Sequence, residues 1–373
     1  MSEQSLTGRH YLSGRTVEVC WSDSLITSVT PQDDGPADHW LAPGLVDVQI
    51  NGYAGVDFQK DDVSEEDLLK AADGLHRDGC GRWMLTLITA EWSVLLARLG
   101  HLRRVRANSE ALQKRIVGWH VEGPFLSAEP GFKGAHDASV MTDPTCAQID
   151  ELKKVLGDDP ILLTLAAERP GAIEVTRHAV SQGIAVSIGH SNASAENLRD
   201  AVEAGATGFT HLSNGMPQQM DRHDNIVSRV VDTDRLVVGL IPDAIHVAPQ
   251  MFRLLHKALP ADLIYYTTDA MSAGGAPPGR YWLGPHELEV GEDKIVHIPG
   301  QTNFAGSALS PVEGIKRSAE MLGRSWRDVW DFFSLNAAQL VGVKAGLEPG
   351  CPADICEVVG DEQTAKSIKH VVG

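Results

Sequence analysis

Short runs of apolar and β-branched residues recur along most of the chain, and this recurrence limits the possible folds more than any other feature. Eight such runs cover residues 45–50, 83–89, 116–121, 161–167, 184–190, 206–211, 236–243 and 263–269. Amphipathic helical patterns separate most of them, for example at 65–76, 172–182 and 195–204. Strands that alternate with helices form right-handed βαβ units and a parallel sheet. Eight such units predict a closed (β/α)8 barrel of the TIM type, an α/β fold.

The sequence after the eighth run predicts an insertion and then the last helix of the barrel. Residues 274–303 begin with a glycine- and proline-rich stretch and continue with alternating apolar residues, which predicts an inserted β-hairpin. The segment Ser310-Pro311-Val312-Glu313 combines a capping box with proline at the first helical position. A helix should therefore begin there and run to about Leu322.

Each end of the chain carries strand patterns that follow one another without an intervening helix. These patterns lie at residues 11–12, 16–20 and 25–29, and again at 353–359 and 367–372. We expect both ends to pair in one small β-sandwich domain, formed by residues 1–43 and 346–373. The barrel would then occupy residues 44–345.

Composition argues against several functional classes. The chain has 50 acidic and 32 basic residues among 373, and the net charge of −18 disfavours nucleic acid and anionic membranes as partners. No apolar stretch approaches the roughly 18 residues of a membrane span, and we see no apolar signal segment near Met1. The five scattered cysteines contain no Cys-x-x-Cys. We therefore expect free thiols and a cytoplasmic location.

Polar and titratable residues follow most of the eight runs. The carboxyl ends of barrel strands meet at one face, and reactive groups lie there. The residues in these positions are Gln49, Asn51, Glu122, Glu168, His190, His211, Asp243, His246 and Asp269. A single histidine would indicate little, but two imidazoles and one carboxylate, from Glu122, His190 and His211, match the three protein ligands of a catalytic zinc site.

Two of the carboxylates have alternative interpretations. Asp269 would face the water that a metal ion activates, accept its proton and return that proton to a leaving amine. Its structural alternative is an N-cap for the following turn. Glu168 is interpreted as a scaffold residue of the barrel mouth, or as a residue that positions a metal ligand.

Eight sequence blocks stand in order along the chain: PGLVDVQING (43–52), HVEGPF (120–125), GAH (134–136), GHSNA (189–193), THLSNGMP (210–217), DAIHV (243–247), TDA (268–270) and GSAL (306–309). Together they resemble the N-acetylglucosamine-6-phosphate deacetylases of the amidohydrolase superfamily, over essentially the whole chain. The resemblance implies the amidohydrolase type of barrel with a flanking β domain.

The resemblance also implies the metal site and the catalytic residues. One divalent metal would bind Glu122, His190 and His211, with zinc favoured and iron, cobalt or manganese suited to the same ligands. Asp269 would be the catalytic acid and base, and His136 would help to polarise the acetyl carbonyl. Many amidohydrolases with two metals carry His-x-His after the first strand. This chain has Gln49-Ile50-Asn51 there, so we expect one metal.

Substrate-binding residues follow from the same resemblance. They are Ala135, His136, Asn214, Gly215, Asp243, Phe304, Ala305 and Gly306, with Arg222 and His246 for the 6-phosphate. At least one phosphate residue would reach across a homodimer interface. Three departures from the family pattern stand out: Gly215 occupies a position where the family usually has alanine, Pro242 precedes Asp243, and the acidic Asp221 stands beside Arg222. Arg222 could instead be a surface residue that pairs with Asp221 or Asp224.

The implied activity is hydrolysis of the acetamide of N-acetyl-D-glucosamine 6-phosphate to glucosamine 6-phosphate and acetate, in amino-sugar metabolism. One alternative is deacetylation of N-acetylgalactosamine 6-phosphate or of an unphosphorylated sugar. Another is a barrel that binds a sugar phosphate without catalysis.

Overall fold

The computed structural model describes residues 3–299 and 305–372, whose strands form a parallel barrel, a mixed sheet from both chain ends, a three-stranded insertion and a two-stranded ribbon. The strands are β1 (Gln4–His10), β2 (Thr16–Ser22), β3 (Leu25–Pro31), β4 (His39–Pro43), β5 (Leu45–Ile50), β6 (Gly52–Tyr53), β7 (Val56–Asp57), β8 (Cys80–Ile88), β9 (Ile116–Glu122), β10 (Ile161–Leu165), β11 (Ala185–Ile188), β12 (Gly208–Phe209), β13 (Val237–Leu240), β14 (Ile264–Tyr266), β15 (Gly279–Leu283), β16 (His286–Val290), β17 (Val296–His297), β18 (Ile355–Gly360) and β19 (Ala365–Val372). The α-helices are α1 (Glu65–Arg77), α2 (Trp92–Ala107), α3 (Glu110–Arg115), α4 (Cys146–Leu156), α5 (Ala172–Ser181), α6 (Ala195–Glu203), α7 (Ile226–Val231), α8 (Pro249–Ala258), α9 (Pro311–Leu322), α10 (Trp326–Trp330) and α11 (Leu335–Leu340). Within these described ranges, no helix has both the length and the apolar character needed to cross a membrane.

The barrel consists of β5 and β8 to β14, which pair in parallel and in chain order. It closes where the first strand meets the segment after the last one. Ile50 forms a parallel bridge with Ala270, and the Asn51 N–H donates to the Ala270 carbonyl at 2.7 Å. The predicted (β/α)8 barrel is confirmed.

Asp47 joins the first barrel strand to the segment that directly follows the last one. Its Oδ2 accepts hydrogen bonds from the Thr268 backbone N–H at 3.0 Å and the Thr268 hydroxyl at 2.6 Å. Its Oδ1 accepts from the Thr267 hydroxyl at 2.5 Å and the Gln49 N–H at 3.1 Å. Burial raises the pKa of Asp47 to about 6, although these hydrogen bonds oppose the shift. A buried carboxylate with this many donors fixes the register of the two strands.

The eighth barrel helix begins and ends as the sequence predicts. Helix α9 spans Pro311–Leu322, with proline at its start. The Ser310 hydroxyl accepts from the Glu313 N–H, and the Glu313 carboxylate accepts from the Ser310 N–H, which completes the capping box. Two backbone N–H groups of the helix start are thus satisfied locally.

The insertion is a three-stranded antiparallel sheet, β15 to β17, rather than a simple hairpin. One end of β15 is attached to the barrel mouth by two hydrogen bonds. The Ser272 hydroxyl donates to the Trp282 carbonyl at 2.6 Å, and the Gly284 N–H donates to Asp57 at 3.0 Å. The insertion also shares a buried apolar cluster with the barrel, which contains Ile88, Met271, Ala273, Leu283, Leu288, Val290, Val296, Ala305 and Ala308.

Both chain ends contribute to a single mixed sheet of six strands, in the order β19-β18-β4-β1-β2-β3. This confirms that the ends join in one small β unit. The strand predicted at residues 11–12 is wrong, because these residues lie in the turn between β1 and β2, where the Gly14 N–H donates to the His10 carbonyl at 2.8 Å. The boundaries at residues 44 and 345 stay a prediction.

A buried ion pair connects this sheet to the barrel. Arg82, on β8, lies 2.5 Å from the Asp354 carboxylate and also donates to the Lys344 carbonyl at 2.7 Å. His370, on β19, contacts the other oxygen of Asp354. Burial alone would raise the pKa of Asp354, but the charge of Arg82 and the hydrogen bond from His370 outweigh it and lower the pKa.

We predict that Asp354→Ala lowers the free energy of unfolding by about 3–5 kcal/mol, because it leaves the Arg82 charge buried without a partner. The measurement is the shift of the denaturant midpoint at neutral pH. Asp61→Ala is the matched control, since Asp61 pairs with Arg98 at 2.6 Å but its side chain is 77% exposed. The control should change stability by roughly 1 kcal/mol or less, and equal losses in the two variants would contradict the prediction.

Candidate active site

The polar residues predicted at the strand ends lie where the backbone leaves the strands. The φ angles of His190, His211 and Asp269 are 47°, 32° and 50°. Residues other than glycine seldom adopt this left-handed conformation. Such strained residues concentrate at functional sites, and here three of them lie around one cavity.

Glu122, at the end of β9, is the centre of the site. Its Oε1 lies 2.8 Å from His211 Nε2 and 3.3 Å from His190 Nε2. Burial by itself would raise the pKa of Glu122, but the hydrogen bonds from these histidines outweigh it and hold the pKa well below its usual range. The structure thus brings the three predicted metal ligands together, with the ionised Glu122 carboxylate in contact with both histidines.

The hydrogen bonds of the two histidines fit a metal site. His190 Nδ1 lies 2.7 Å from the Phe132 carbonyl, so Nδ1 is a donor, and Nε2 faces Glu122. A carbonyl partner on the second nitrogen is the usual way to orient a metal-binding histidine. The Nε2 of His211 is close enough to Glu122 to share a proton with it, and a bound metal would replace that proton.

His136 faces the other carboxylate oxygen of Glu122, with its Nε2 3.8 Å from Glu122 Oε2. The ligand atoms of Glu122, His136 and His190 all lie within 4.8 Å of one another, so distance alone would also allow His136 to bind a metal. However, the Thr89 N–H and hydroxyl both face His136 Nδ1, at 3.4 and 2.8 Å. The Thr89 hydroxyl also lies 3.3 Å from the Glu122 carbonyl, so it is the Thr89 backbone N–H that identifies Nδ1 as an acceptor and places the ring proton on Nε2. Burial, helped by the charge of His190, lowers the pKa of His136 to about 3, so the ring is a neutral donor toward the cavity.

Asp269 is held by two side-chain amides of the first strand. Its Oδ1 accepts from Asn51 Nδ2 at 2.8 Å and from Gln49 Nε2 at 3.0 Å. Gln49 Nε2 also lies 2.9 Å from Glu122 Oε1, so one amide connects the two carboxylates. Burial, followed by the negative charge of Glu122, raises the pKa of Asp269 to about 7. The Asp269 carboxylate therefore lines the cavity and does not cap the following turn.

Two glycines enclose the imidazole of His190. A Cβ added to Gly215 would lie 2.6 Å from His190 Nδ1, and one added to Gly134 would lie 2.8 Å from His190 Cε1. Gly215 also has a φ of 58°, which side chains disfavour. At position 215, where the family usually has alanine, the packing against His190 in this chain therefore requires glycine.

Glu168 supports the loop that follows His190. Its carboxylate accepts from the Ser191 hydroxyl at 2.5 Å and from the Asn192 N–H at 2.7 Å. Of the two interpretations of Glu168, these contacts favour the one in which it positions a metal ligand.

The cavity at this site is small, about 50 Å³, and it collects most of the predicted substrate residues. Those that line it are Ala135, His136, Asn214, Gly215, His246, Ala305 and Gly306. Asp243 lies behind His246, with Oδ2 2.6 Å from His246 Nδ1. Burial would lower the pKa of His246, but the charge of Asp243 outweighs it and raises the pKa, which favours an imidazolium. The predicted residue Phe304 lies outside the described residues.

Arg222 is exposed and does not line the cavity. Neither of its acidic neighbours pairs with it: Asp221 accepts from the N–H groups of His223 and Asp224, and Asp224 pairs with Arg229 at 2.5 Å. The guanidinium therefore forms no ion pair within residues 3–299 and 305–372.

The sequence did not identify every residue of the site. Thr89, Ile88 and Leu283 were missed, although Thr89 orients His136 and the other two line the cavity. Thr89 ends a predicted strand, so its position was a usable signal. Leu283 belongs to the insertion, and no sequence pattern links it to the barrel mouth.

We predict that His190→Ala and His211→Ala each lower the metal content of the purified protein well below one ion per chain, because three protein ligands are the minimum for such a site. The measurement is elemental analysis after dialysis. His178→Ala, on the outer helix α5, should retain the metal of the unmodified protein. Full occupancy in either of the two site variants would remove that histidine from the ligand set.

No protein-family model matches the chain. It is 30% identical over 360 residues to N-acetylglucosamine-6-phosphate deacetylase from Danio rerio, which covers 91% of this chain and 87% of that protein. It is also 30% identical over 358 residues to N-acetylgalactosamine-6-phosphate deacetylase from Escherichia coli O157:H7, covering 95% and 92%. A solved structure of an N-acetyl-D-glucosamine-6-phosphate deacetylase mutant from Mycobacterium smegmatis, in complex with N-acetyl-D-glucosamine-6-phosphate, superimposes with a TM-score of 0.85 at 26% identity and covers 100% of both chains.

The sequence identity extends over about nine tenths of the chain, and the structural match covers all of it. Glu122 and its neighbouring histidines His136 and His190 form a buried group of the kind that can hold a metal ion. The chain therefore belongs to the N-acetylglucosamine-6-phosphate deacetylase family of the amidohydrolase superfamily.

Proposed function

We propose that this protein is a metal-dependent deacetylase that converts N-acetyl-D-glucosamine 6-phosphate and water into glucosamine 6-phosphate and acetate, in amino-sugar catabolism. The observation that carries the proposal is the buried juxtaposition of Asp269 with Glu122, His190 and His211, since Gln49 touches both carboxylates. A barrel that only binds a sugar phosphate has no need for a buried carboxylate beside a metal site.

Glu122, His190 and His211 would hold one divalent ion, and this ligand type favours zinc. When bound, such an ion polarises the amide carbonyl and lowers the pKa of an attacking water. Gln49 and Asn51 direct their NH2 groups toward the carboxylates. Because an NH2 group cannot ligate a cation, this geometry supports one metal rather than two.

Asp269 would move the proton in both halves of the reaction. Its Oδ1 accepts from two amides, so Oδ2 is available to take a proton from the water as the water oxygen bonds to the carbonyl carbon. His136 would donate its Nε2 proton in a hydrogen bond to the carbonyl oxygen and stabilise the developing negative charge. Asp269 would then deliver its proton to the nitrogen as the C–N bond breaks, which releases acetate and the amine.

The remaining residues suit a sugar phosphate. Asn214, Gly215, Ala135, Ala305 and Gly306 line the cavity mouth and would hold the sugar. The His246 imidazolium, paired with Asp243, offers a positive charge for the 6-phosphate. The exposed Arg222 would serve the phosphate site of a homodimer, as the family resemblance implies.

N-acetylgalactosamine 6-phosphate is the second candidate substrate. The observation in its favour is the Escherichia coli relative that is named for this activity and has the same 30% identity as the zebrafish relative. The two sugars differ in the orientation of one hydroxyl group. Direct comparison of kcat/KM is therefore needed to choose between them.

We predict that Asp269→Asn lowers kcat by roughly 10²–10⁴-fold, because the variant cannot act as a general base or acid. Its metal content should stay at the level of the unmodified protein, because the three ligands are intact. Asp262→Asn, at an exposed position, is the control and should keep full activity. Near-normal turnover by Asp269→Asn would exclude Asp269 from the mechanism.

The substrate is tested by acetate release from N-acetylglucosamine 6-phosphate, N-acetylgalactosamine 6-phosphate and free N-acetylglucosamine, on protein with a counted metal. We expect the highest kcat/KM with the first. Arg222→Ala should lower kcat/KM for the phosphorylated sugars and leave the free sugar unaffected. A higher kcat/KM with the galacto sugar would replace the first candidate by the second, and equal values with and without phosphate would refute the phosphate site.

A further inference from the structure

Two apolar side chains separate the active-site cavity from a larger groove on the protein surface. Ile88 lines the small cavity together with Glu122 and Asp269. It also lines a groove of about 740 Å³, whose other residues include Thr89 and Gly284. Leu283 lines the cavity, and the next residue, Gly284, lines the groove. Ile88 and Leu283 thus form a partition between the two spaces.

The backbone fixes both side chains of the partition. Ile88 is the last residue of β8, pairs with Glu122 in the sheet, and donates its N–H to Gln59 Oε1 at 3.0 Å. Leu283 is held between the two hydrogen bonds that anchor β15 to Ser272 and Asp57. Its exposed fraction is only 4%, and it belongs to the same buried apolar cluster as Ile88. The partition is therefore a rigid part of the site.

The geometry of the cavity limits what can lie against this partition. The scissile carbonyl has to lie among Glu122, His136 and Asp269. The hydroxyl and phosphate groups of a sugar need polar partners, which Asn214 and His246 offer. The alkyl part of the acyl group is the most apolar part of such a substrate, and Ile88 and Leu283 are the largest apolar side chains that line the cavity.

Resting on the proposed deacetylase function, we infer that Ile88 and Leu283 form an acyl-group wall that restricts this enzyme to short N-acyl groups. Both side chains are buried, with exposed fractions of 9% for Ile88 and 4% for Leu283, so packed neighbours keep them in place. An acetyl methyl group fits against the wall, whereas each further methylene collides with it. One methylene in an apolar pocket typically changes kcat/KM by about 10–200-fold.

The test compares N-acetyl, N-propionyl and N-butyryl derivatives of glucosamine 6-phosphate and galactosamine 6-phosphate, with release of the free amine as the readout. The unmodified enzyme should prefer acetyl over propionyl by about tenfold or more in kcat/KM. Leu283→Ala should lower this acetyl-to-propionyl ratio by about tenfold. Ile88→Ala, which opens the cavity toward the groove, should in addition allow measurable turnover of the butyryl derivative.

Leu288→Ala is the matched control. Leu288 lies in β16 beside Tyr281 of β15 and is buried in the same apolar cluster, but it does not line the cavity. The control removes the same atoms from the insertion and should leave the acyl ratio unchanged. Metal content is measured for every variant, because Ile88 neighbours Glu122 in the sheet.

Unchanged acyl ratios in both wall variants, at full metal content, would overturn the acyl-wall inference while leaving the deacetylase proposal intact. An equal change in Leu288→Ala would also overturn it, because the effect would then come from loosening of the insertion. If the metal-loaded, unmodified enzyme releases amine from none of the substrates, the proposed function itself fails, and the inference fails with it.

Discussion

The closure of the barrel is the constraint on which the rest of this structure depends, and one carboxylate secures it. Asp47 accepts hydrogen bonds from its own strand and from Thr267 and Thr268, which directly follow the last strand, and its side chain is fully buried. Removing it would leave these donors unsatisfied, and a slip of one residue would turn the neighbouring side chains to the other face of the wall. The contact of Asp269 with Gln49 and Asn51 exists only in this register. The same closure that completes the fold therefore assembles the proposed proton-transfer residue with its supports.

The site concentrates charge where the protein interior is least able to tolerate it. Glu122 and Asp269 are both buried, and the amide of Gln49 touches both. Two carboxylates so close raise each other's pKa unless opposite charge compensates them. Here that compensation comes from histidines for Glu122, and the pKa of Asp269 is raised. A bound divalent cation would complete the balance of charge in this cluster.

The sequence predicted the repeating parts of the molecule and missed parts that depend on distant contacts. Eight apolar runs predicted the barrel strands, and a capping box predicted the last helix, because both signals are local. Six of the eight barrel strands end earlier than the predicted runs; β11, for example, ends at Ile188 and β14 at Tyr266. Strand β1 was missed because its residues are mostly polar and partly exposed. The polar strand ends and family motifs predicted Glu122, His190 and His211 as metal ligands; the structure brings these residues together, and their binding of a metal stays a prediction. The packing of Gly215 on His190 and the approach of Leu283 to the cavity could not be predicted, since neither leaves a periodic pattern.

The left-handed backbone of His190, His211 and Asp269 has a further thermodynamic meaning. Each such residue stores about 1–3 kcal/mol of local strain, which surrounding contacts must offset. A ligand that binds only the strained arrangement stabilises it by mass action. Tighter metal binding should therefore make local unfolding of the segments that carry these three residues less favourable. Amide hydrogen exchange in the segments around His190, His211 and Asp269 should slow as the free metal concentration rises, while exchange in the terminal sheet stays constant. The cation would then stabilise the folded conformation of the loops that bind it.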